Sequence, residues 1–512
     1  MLKLIRKKFR NSDPDRFLRV DSVKADLKGH SVRGGAVTVA TEIIKFLLYL
    51  GSFAILARLL LPEDYGLLGM VNVVLVFFGL FEDLGLATAT VQAPEINHKQ
   101  VSTLFWINVA LGFTLFLIFA ALSPLLALFY REPRLIGITI ALGSNFIFSS
   151  LSVQHRAILR RQMQFASLAR MQLVAMASGL LVAIAAASYG MGYWSLVILQ
   201  LAMSITGLVG FWSVCGWRPG LPQWTPEVRS MVSFGGNVTG FYFFDYLSRN
   251  LDNILIGRFW GAQQLGLYAK AYQLLMLPIQ QFTGPISGVA LSALSRLREE
   301  PERYRSYYYK STQFIATLGM PVVVFMFVAL DKVILTVLGE QWLGIVPIFR
   351  FLAPAAFLGT FTWTGWVYQS LGRGDRMLRW GVISSTVDVI AFVIGVRWGT
   401  LGIATAFSLS QLILLIPNFV YCFKGTSLKM SQLAIAVSRP AIASIGAGAI
   451  TLGIGQQFLN IPNVALGFLV DCILYGLFYF GLWLLLPGGK STLLEMLQTV
   501  KTLKSKPKEA LE

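Results

Sequence analysis

Residues 55–70 read ILARLLLPEDYGLLGM, and residues 255–270 read LIGRFWGAQQLGLYAK. At an offset of 200 residues the two stretches align without a gap, pairing Arg58 with Arg258 and Gly66 with Gly266. In each stretch a long apolar segment ends at a short turn, and the next one begins at Gly-Leu. A weaker pair, YGMGYW at 189–194 and WGTLGI at 398–403, is one residue out of register. The pattern indicates two copies of one architecture.

The composition is typical of a membrane protein. Apolar residues make up 55% of the chain and charged residues 13%, against about 25% charged in an ordinary soluble domain. Short polar or glycine-rich joints recur roughly every 15 to 30 residues, which suits helices of about 20 residues that cross a hydrocarbon core. Because lipid cannot hydrogen-bond to open backbone groups, the spans are predicted to be α-helices. We therefore predict an all-α polytopic membrane protein.

Fourteen transmembrane spans are predicted from the apolar segments. They lie at residues 36–57, 67–89, 103–126, 135–152, 168–188, 193–213, 230–257, 266–290, 312–338, 346–370, 380–397, 400–422, 434–456 and 462–486. Of the 43 Lys and Arg residues, 31 fall in the two tails and the joints after even-numbered spans, whereas the opposite joints hold five. Positive loops stay in the cytoplasm, so both termini are predicted to be cytoplasmic. Because the charge has this topological role, nucleic acid is not an expected partner.

The repeat divides the spans into lobes. Its offset covers six spans, an even number, so both copies are predicted to have the same orientation in the membrane. We expect two parallel six-helix lobes with a site between them near the midplane, which is a transporter architecture. The predicted organisation is a basic N-terminal segment 1–35, an N-lobe 36–213, a linker 214–229, a C-lobe 230–422, a C-terminal helix pair 434–486 and a basic tail 487–512.

Charged residues within the spans are the candidate site. In the seventh span Asp245, Arg249 and Asp252 share one helical face, and in the first span Glu42 and Lys45 do the same. At the repeat offset Lys45 corresponds to Asp245. A charge at the bilayer centre costs about 2.5–3.5 kcal/mol, so these side chains are predicted to face a central cavity. The alternative is that they pair within their own helices and stabilise the fold.

Other charges are open to two interpretations. Arg58 and Arg258, at the outer ends of their spans, could line the cavity or extend to the interface. Asp388 in the eleventh span could face the cavity or hold helices together. Glu82 and Asp83, near the cytoplasmic end of the second span, are expected to be solvated.

The chemistry of these groups favours transport. Cationic side chains on a cavity wall suit an anionic substrate, above all a phosphate or pyrophosphate headgroup. The carboxylates could carry H⁺ or Na⁺. PGGKST at 487–492 has Leu484 where a phosphate-binding loop needs its first glycine. No enzyme, cofactor or metal motif is found in the sequence, and none is expected.

Three stretches, ARLLLPEDYGLLGM (57–70), FEDLGL (81–86) and LDNILIGRFWGAQQLGLYAKAYQLL (251–275), resemble the polysaccharide-transporter family of lipid-linked oligosaccharide flippases in the multidrug/oligosaccharidyl-lipid/polysaccharide superfamily. Within it, the stretches resemble exporters of exopolysaccharides such as colanic acid. The positions that match its patterns are Arg58, Pro62, Gly66, Asp252, Ile256, Gly257, Arg258, Leu265, Gly266 and Tyr268.

The resemblance implies a flippase that moves a polyprenyl-diphosphate-linked oligosaccharide across the bacterial inner membrane by alternating access. It implies cationic cavity residues on the diphosphate, for which Lys45 and Arg249 are the candidates. A polysaccharide polymerase and other export proteins are possible partners. Two alternatives stay open: a cation-coupled multidrug antiporter, which would prefer a more acidic cavity, and a membrane polymerase or ligase, which would need a long outer loop.

Overall fold

The computed structural model describes residues 27–93, 95–223, 226–458, 461–495 and 498. The regular structure of these residues is helical throughout, which confirms the predicted fold class. The chain divides into two compact units, Met1–Gly266 and Leu267–Glu512.

In the described part of the N-terminal unit, eight helices precede the first segment of a ninth, which is kinked at Gly261, where φ is 80°. In it α1 packs against α7, α7 against α8, and α4 against both α5 and α6. The helices are α1 (Leu27–Leu59), α2 (Pro62–Gly79), α3 (Leu86–Gln92), α4 (His98–Tyr130), α5 (Leu135–Gly143), α6 (Asn145–Arg161), α7 (Phe165–Ser188), α8 (Tyr193–Val214) and α9 (Pro226–Arg296).

In the described part of the C-terminal unit, the remainder of α9 is followed by seven further helices. In it α10 packs against α15 and α16, and α14 against α11 and α13. The helices are α10 (Pro301–Val333), α11 (Ile345–Gly359), α12 (Thr364–Ser370), α13 (Gly374–Gly395), α14 (Gly399–Phe423), α15 (Met430–Phe458) and α16 (Val464–Leu485), with a π-helix at Ile334–Leu338 and 3₁₀ turns at Glu340–Trp342 and Val396–Trp398.

A helix overlies each of the fourteen predicted spans, but their number stays a prediction. Among the described residues, nine helices are long and apolar enough to cross a membrane, or up to ten if a bent pair counts as one span. That count takes Gly374–Phe423 as one helix of 50 residues. Gly399 within it has φ of 74°, and α13 packs against α14, so this stretch is a hairpin of two helices.

The second span was predicted as one helix, and the structure interrupts it. α2 ends at Gly79 and α3 begins at Leu86. Between them Leu84 has φ of 45° and Gly85 has φ of 72°, which is left-handed backbone that no α-helix contains. Broken helices at membrane depth are tolerated where protein or a cavity surrounds the freed backbone groups.

The first part of the predicted linker 214–229 is not free but docked on α4. The Trp217 side chain is buried, and its indole Nε1 donates to His98 Nδ1 at 3.0 Å. The Gly220 amide donates to the Ser102 hydroxyl at 2.9 Å. These bonds fix the chain that leads from α8 towards α9.

The two repeats meet at a seam of small residues inside the N-terminal unit. A Cβ placed on Gly66 would overlap the backbone carbonyl of Ala262, and a Cβ on Gly266 would overlap that of Pro62. Position 62 corresponds to 262 and position 66 to 266 at the offset of 200 residues. The contact is therefore reciprocal, as expected at an isologous two-fold interface. This reciprocal close contact explains why both repeats have glycine at this position.

We predict that Gly66→Ala destabilises the N-terminal unit, because its methyl group must displace the Ala262 carbonyl. Overpacking of this kind costs about 1–3 kcal/mol. The measurement is the thermal unfolding midpoint of the purified protein in detergent. The matched control is Gly51→Ala in α1, where a Cβ meets nothing within 4 Å. Equal midpoints for the two variants would contradict the tight seam.

Candidate functional site

Lys45 on α1 is held by two side-chain oxygens. Its Nζ donates to Glu42 Oε1 at 2.8 Å and to Gln172 Oε1 at 2.7 Å. The Lys45 side chain is 23% exposed and that of Glu42 is 63% exposed. Glu42 lies on the same helix, whereas Gln172 lies on α7. Lys45 therefore keeps its charge neutralised while part of its surface stays accessible.

Gln172 is a site residue that the sequence analysis missed. It connects α7 to Lys45 and orients the ammonium group. A polar amide inside an apolar span was the available signal, since such groups seek partners on neighbouring helices. The sequence could not name the partner, because the pair is separated by 127 residues.

The charged face of the seventh span lies on the first half of α9. The Arg249 side chain is exposed, while Asp252 is buried. Asp252 Oδ1 accepts from the backbone amide of Asn253 at 2.8 Å and from its side-chain amide at 3.2 Å. The Asp245 side chain lies outside the described residues. Whether this face and Lys45 share one cavity stays a prediction.

A second set of polar contacts joins α2 to α8 and α9. The Tyr246 hydroxyl donates to the Val73 carbonyl at 2.8 Å, and the Tyr246 ring centroid lies 6.2 Å from that of Phe77. The Gln200 side-chain amide donates to Asn72 Oδ1 at 3.4 Å. The sequence analysis singled out none of these residues. These contacts hold α2 against α8 and α9.

Arg58 lies at the end of α1, and Arg258 lies three residues before a kink in α9 at Gly261, where φ is 80°. Arg58 is exposed in the last turn of α1. The Arg258 guanidinium lies 5.7 Å from the ring centroids of both Phe129 and Phe259. A guanidinium over aromatic rings is stabilised by cation–π attraction. That contact supports a packing role for Arg258, while a role in substrate binding stays a prediction.

Asp388 connects two helices of the C-terminal unit. Its Oδ1 accepts from the Ser410 hydroxyl at 2.7 Å and from the Gln411 side-chain amide at 3.0 Å. Both donors lie on α14, whereas Asp388 lies on α13. These bonds support the helix-packing interpretation of Asp388.

Two ion pairs of the C-terminal unit were also missed. Lys332 on α10 bonds Asp471 on α16 at 2.6 Å, and the Asp471 side chain is 7% exposed. Next to it along the chain, Asp331 bonds Arg350 on α11 at 2.9 Å. The end of α10 is thus tied to two different helices. A single Asp in the apolar fourteenth span was the signal for the first pair.

The comparisons with known proteins agree with this architecture. The family model described as "Polysaccharide biosynthesis protein" matches residues 55–347. The chain belongs to that family. The match begins at the first repeat motif and extends beyond the second, so it contains both halves of the glycine seam.

Named relatives of this polysaccharide biosynthesis family member come from several bacteria. It is 24% identical to the lipopolysaccharide biosynthesis protein WzxC of Escherichia coli K12, over 80% of this chain and 85% of that one. It is 26% identical to the teichuronic acid biosynthesis protein TuaB of Bacillus subtilis 168, over 74% and 79%. It is 23% identical to the succinoglycan biosynthesis transport protein ExoT of Rhizobium meliloti 1021, over 80% and 84%.

Solved structures share the fold of this family member. The lipid II flippase MurJ in an inward closed conformation aligns with a TM-score of 0.70 at 13% identity, covering 88% of this chain and 98% of that one. An inward-facing multidrug transporter of the MATE family aligns with a TM-score of 0.57 at 15% identity, covering 77% and 95%. The predicted flippase-type membrane fold is confirmed.

We predict that Lys332→Ala, which removes a side chain that is 37% exposed, destabilises the C-terminal unit by about 1–3 kcal/mol, because it leaves the buried Asp471 carboxylate unpaired. The double variant Lys332→Met/Asp471→Leu is expected to recover most of that loss. Thermal unfolding midpoints in detergent measure both effects.

The control is Arg350→Ala, which breaks the more exposed pair with Asp331. Exposed pairs contribute about 0.2–1 kcal/mol, so its midpoint should change little. If Lys332→Ala unfolds at the same temperature as this control, the buried pair does not stabilise the helix contact.

Proposed function

We propose that this protein is a flippase that moves a polyprenyl-diphosphate-linked oligosaccharide from the cytoplasmic to the outer leaflet of the bacterial inner membrane. Family membership supports it, as do the polysaccharide products named for its relatives. The observation that carries it is Lys45, a cation that stays partly accessible within a membrane helix and is neutralised by the Glu42 carboxylate, which a substrate could replace.

Lys45 and Arg249 are the proposed ligands of the diphosphate. A diphosphate offers several acceptor oxygens, which suit both the three donors of an ammonium and the planar fork of a guanidinium. On binding, the diphosphate takes the place of Glu42 as the partner of Lys45. Gln172 keeps its bond to Lys45 and holds the ammonium in place.

The transport cycle is proposed to alternate between an N-lobe at 36–213 and a C-lobe at 230–422, joined by the linker 214–229. The helix pair 434–486 completes the membrane domain. The segments 1–35 and 487–512 are placed in the cytoplasm with both termini. Arg58 and Arg258 are proposed to extend the cationic wall outwards. We further propose that transport is coupled to H⁺ or Na⁺ through Glu42, Asp245, Asp252 or Asp388. We also propose that the protein contacts a polysaccharide polymerase.

We predict that Lys45→Ala and Arg249→Ala each abolish glycan export while the protein still inserts in the membrane. The physical reason is the loss of a charge-assisted bond to the diphosphate, worth about 1.5–3 kcal/mol in a partly buried site. Surface polysaccharide is measured in a strain that lacks the chromosomal gene, together with the membrane abundance of each variant.

The control is Arg170→Ala on α7, an exposed arginine whose Nε donates to the Ala166 carbonyl of the same helix. It should export normally. Normal export by both Lys45→Ala and Arg249→Ala would refute the diphosphate site. Efflux of cationic dyes that fails in these variants would instead favour a multidrug antiporter.

We predict that Glu42→Gln strengthens anion binding, because Lys45 then has no internal carboxylate to release. Breaking a pair this exposed is worth about 0.2–1 kcal/mol, so the affinity should rise by up to about fivefold. Calorimetric titration of the purified protein with inorganic pyrophosphate measures it. Unchanged or weaker binding would show that Glu42 does not compete with the anion.

A further inference from the structure

The break in the second span contains FEDLGL at 81–86, a motif that the proposed substrate site does not use. Asp83 has a structural role there. Its Oδ1 accepts from the Ala87 backbone amide at 2.9 Å, at the start of α3, and from the Asn108 side-chain amide at 3.3 Å. Asp83 thus caps α3 and ties the break to α4.

Buried amides hold α3 against its neighbours. The Gln154 side-chain amide on α6 donates to Asn108 Oδ1 on α4 at 3.0 Å, and the Thr90 hydroxyl on α3 donates to Gln154 Oε1 at 2.8 Å. All three side chains have no exposed surface. A buried network whose members are satisfied is rigid. The backbone that carries Glu82 is therefore held in one place.

Glu82 differs from Asp83 in its surroundings. The sequence analysis expected solvent around it, but the side chain is half-buried. Its Oε1 is buried and has no hydrogen-bond partner in the described part of the chain. The Ser149 hydroxyl on α6 faces the carboxyl group. Arg156, two turns further along α6, donates from Nη2 to that same hydroxyl at 3.1 Å.

Few charges act on this carboxyl group. Arg156 on α6 and the neighbouring Asp83 face Glu82, and Arg160 acts on Arg156 in turn. From α4, Asn108 contributes a neutral amide. Among the described residues, one cation and one structural carboxylate therefore act on Glu82.

The arrangement suits a carboxyl group that gains and loses a proton. As a carboxylate, Glu82 is stabilised by Arg156 through Ser149, but its buried Oε1 has no donor, which costs free energy. On protonation the group becomes neutral. Its O–H can then donate to the Ser149 hydroxyl. An unpartnered Oε1 also costs less free energy in the neutral acid than in the carboxylate. Each form has one favourable and one unfavourable contact, so neither is strongly excluded.

We propose that Glu82 is a proton-binding site in the break of the second span, linked through Ser149 to Arg156, and that proton coupling of transport requires it in addition to the carboxylates named above. The proton adds to a carboxylate oxygen, no covalent bond to another group breaks, and the Glu82–Arg156 pair changes from neutral to a net charge of one. The coupling half of this inference rests on the proposed flippase function, whereas the proton-binding half does not.

Infrared spectroscopy of the purified full-length protein in lipid nanodiscs tests proton binding directly. The wild type should show a carboxylic-acid carbonyl band that disappears as the pH rises. Glu82→Gln should lack that band. Asp83→Asn is the matched control, because it alters the adjacent carboxylate and should keep the band. Arg156→Gln should move the midpoint of the titration to higher pH, because a cation stabilises the carboxylate.

Identical bands in the wild type and in a folded Glu82→Gln would overturn the proton site. An unmoved midpoint in Arg156→Gln would overturn the link to Arg156. Size-exclusion profiles and thermal midpoints establish that each variant is folded.

Glycan export measured with and without a transmembrane pH gradient tests the coupling. Wild-type export should depend on the gradient, and export by Glu82→Gln should not. Gradient-dependent export in Glu82→Gln would overturn the coupling role. A wild type that binds the proton but exports no glycan would refute the flippase function and leave the proton site standing.

Discussion

Hydrocarbon cannot hydrogen-bond to a polar group, and the rest of this structure follows from that constraint. The backbone satisfies it by forming helices in the described residues. Side chains satisfy it by pairing across helices, as Lys45 does with Gln172, Asp388 with Ser410 and Lys332 with Asp471. Each of these pairs fixes the position of one helix against another. The polar groups that a membrane makes costly are therefore the ones that determine how the helices pack.

The glycine seam meets a different requirement, the close approach of two backbones. Apolar side chains gain little from contact with each other when lipid is the alternative, so helix contacts in membranes favour small residues. At Gly66 and Gly266 the close approach leaves no room for a Cβ. Gly66 meets Ala262, four residues before Gly266, and Gly266 meets Pro62, four residues before Gly66. Internal duplication produces this reciprocity directly, because one contact surface is used twice. The seam and the family motif coincide for that reason.

The charged residues show how much of a side chain's position the sequence pattern can predict. The spacing of Glu42 and Lys45 alone already allowed the two to pair, since residues three apart on a helix are neighbours. Asp388 was placed in the correct helix, but its partners lie 22 and 23 residues away and could not be inferred. Glu82 was expected in solvent because it lies near a span end. Its burial depends on the break at 80–85, which the apolar pattern does not contain, and on contact with α6, which the pattern could not assign to it.

The amino-acid sequence by itself determined the class of the protein, the placement of its helices and the repeat, because hydropathy and charge act on each segment independently of the others. It also named the family, through motifs that lie at turns. The interruption of the second span, the docking of Trp217 on α4 and the partners of each membrane charge were decided by the tertiary structure. These features depend on which helices become neighbours. A local sequence pattern does not predict a contact with a residue about 100 positions away. Lys45 shows both contributions: its helix and its bond to Glu42 are local, while its bond to Gln172 exists because α7 packs beside α1.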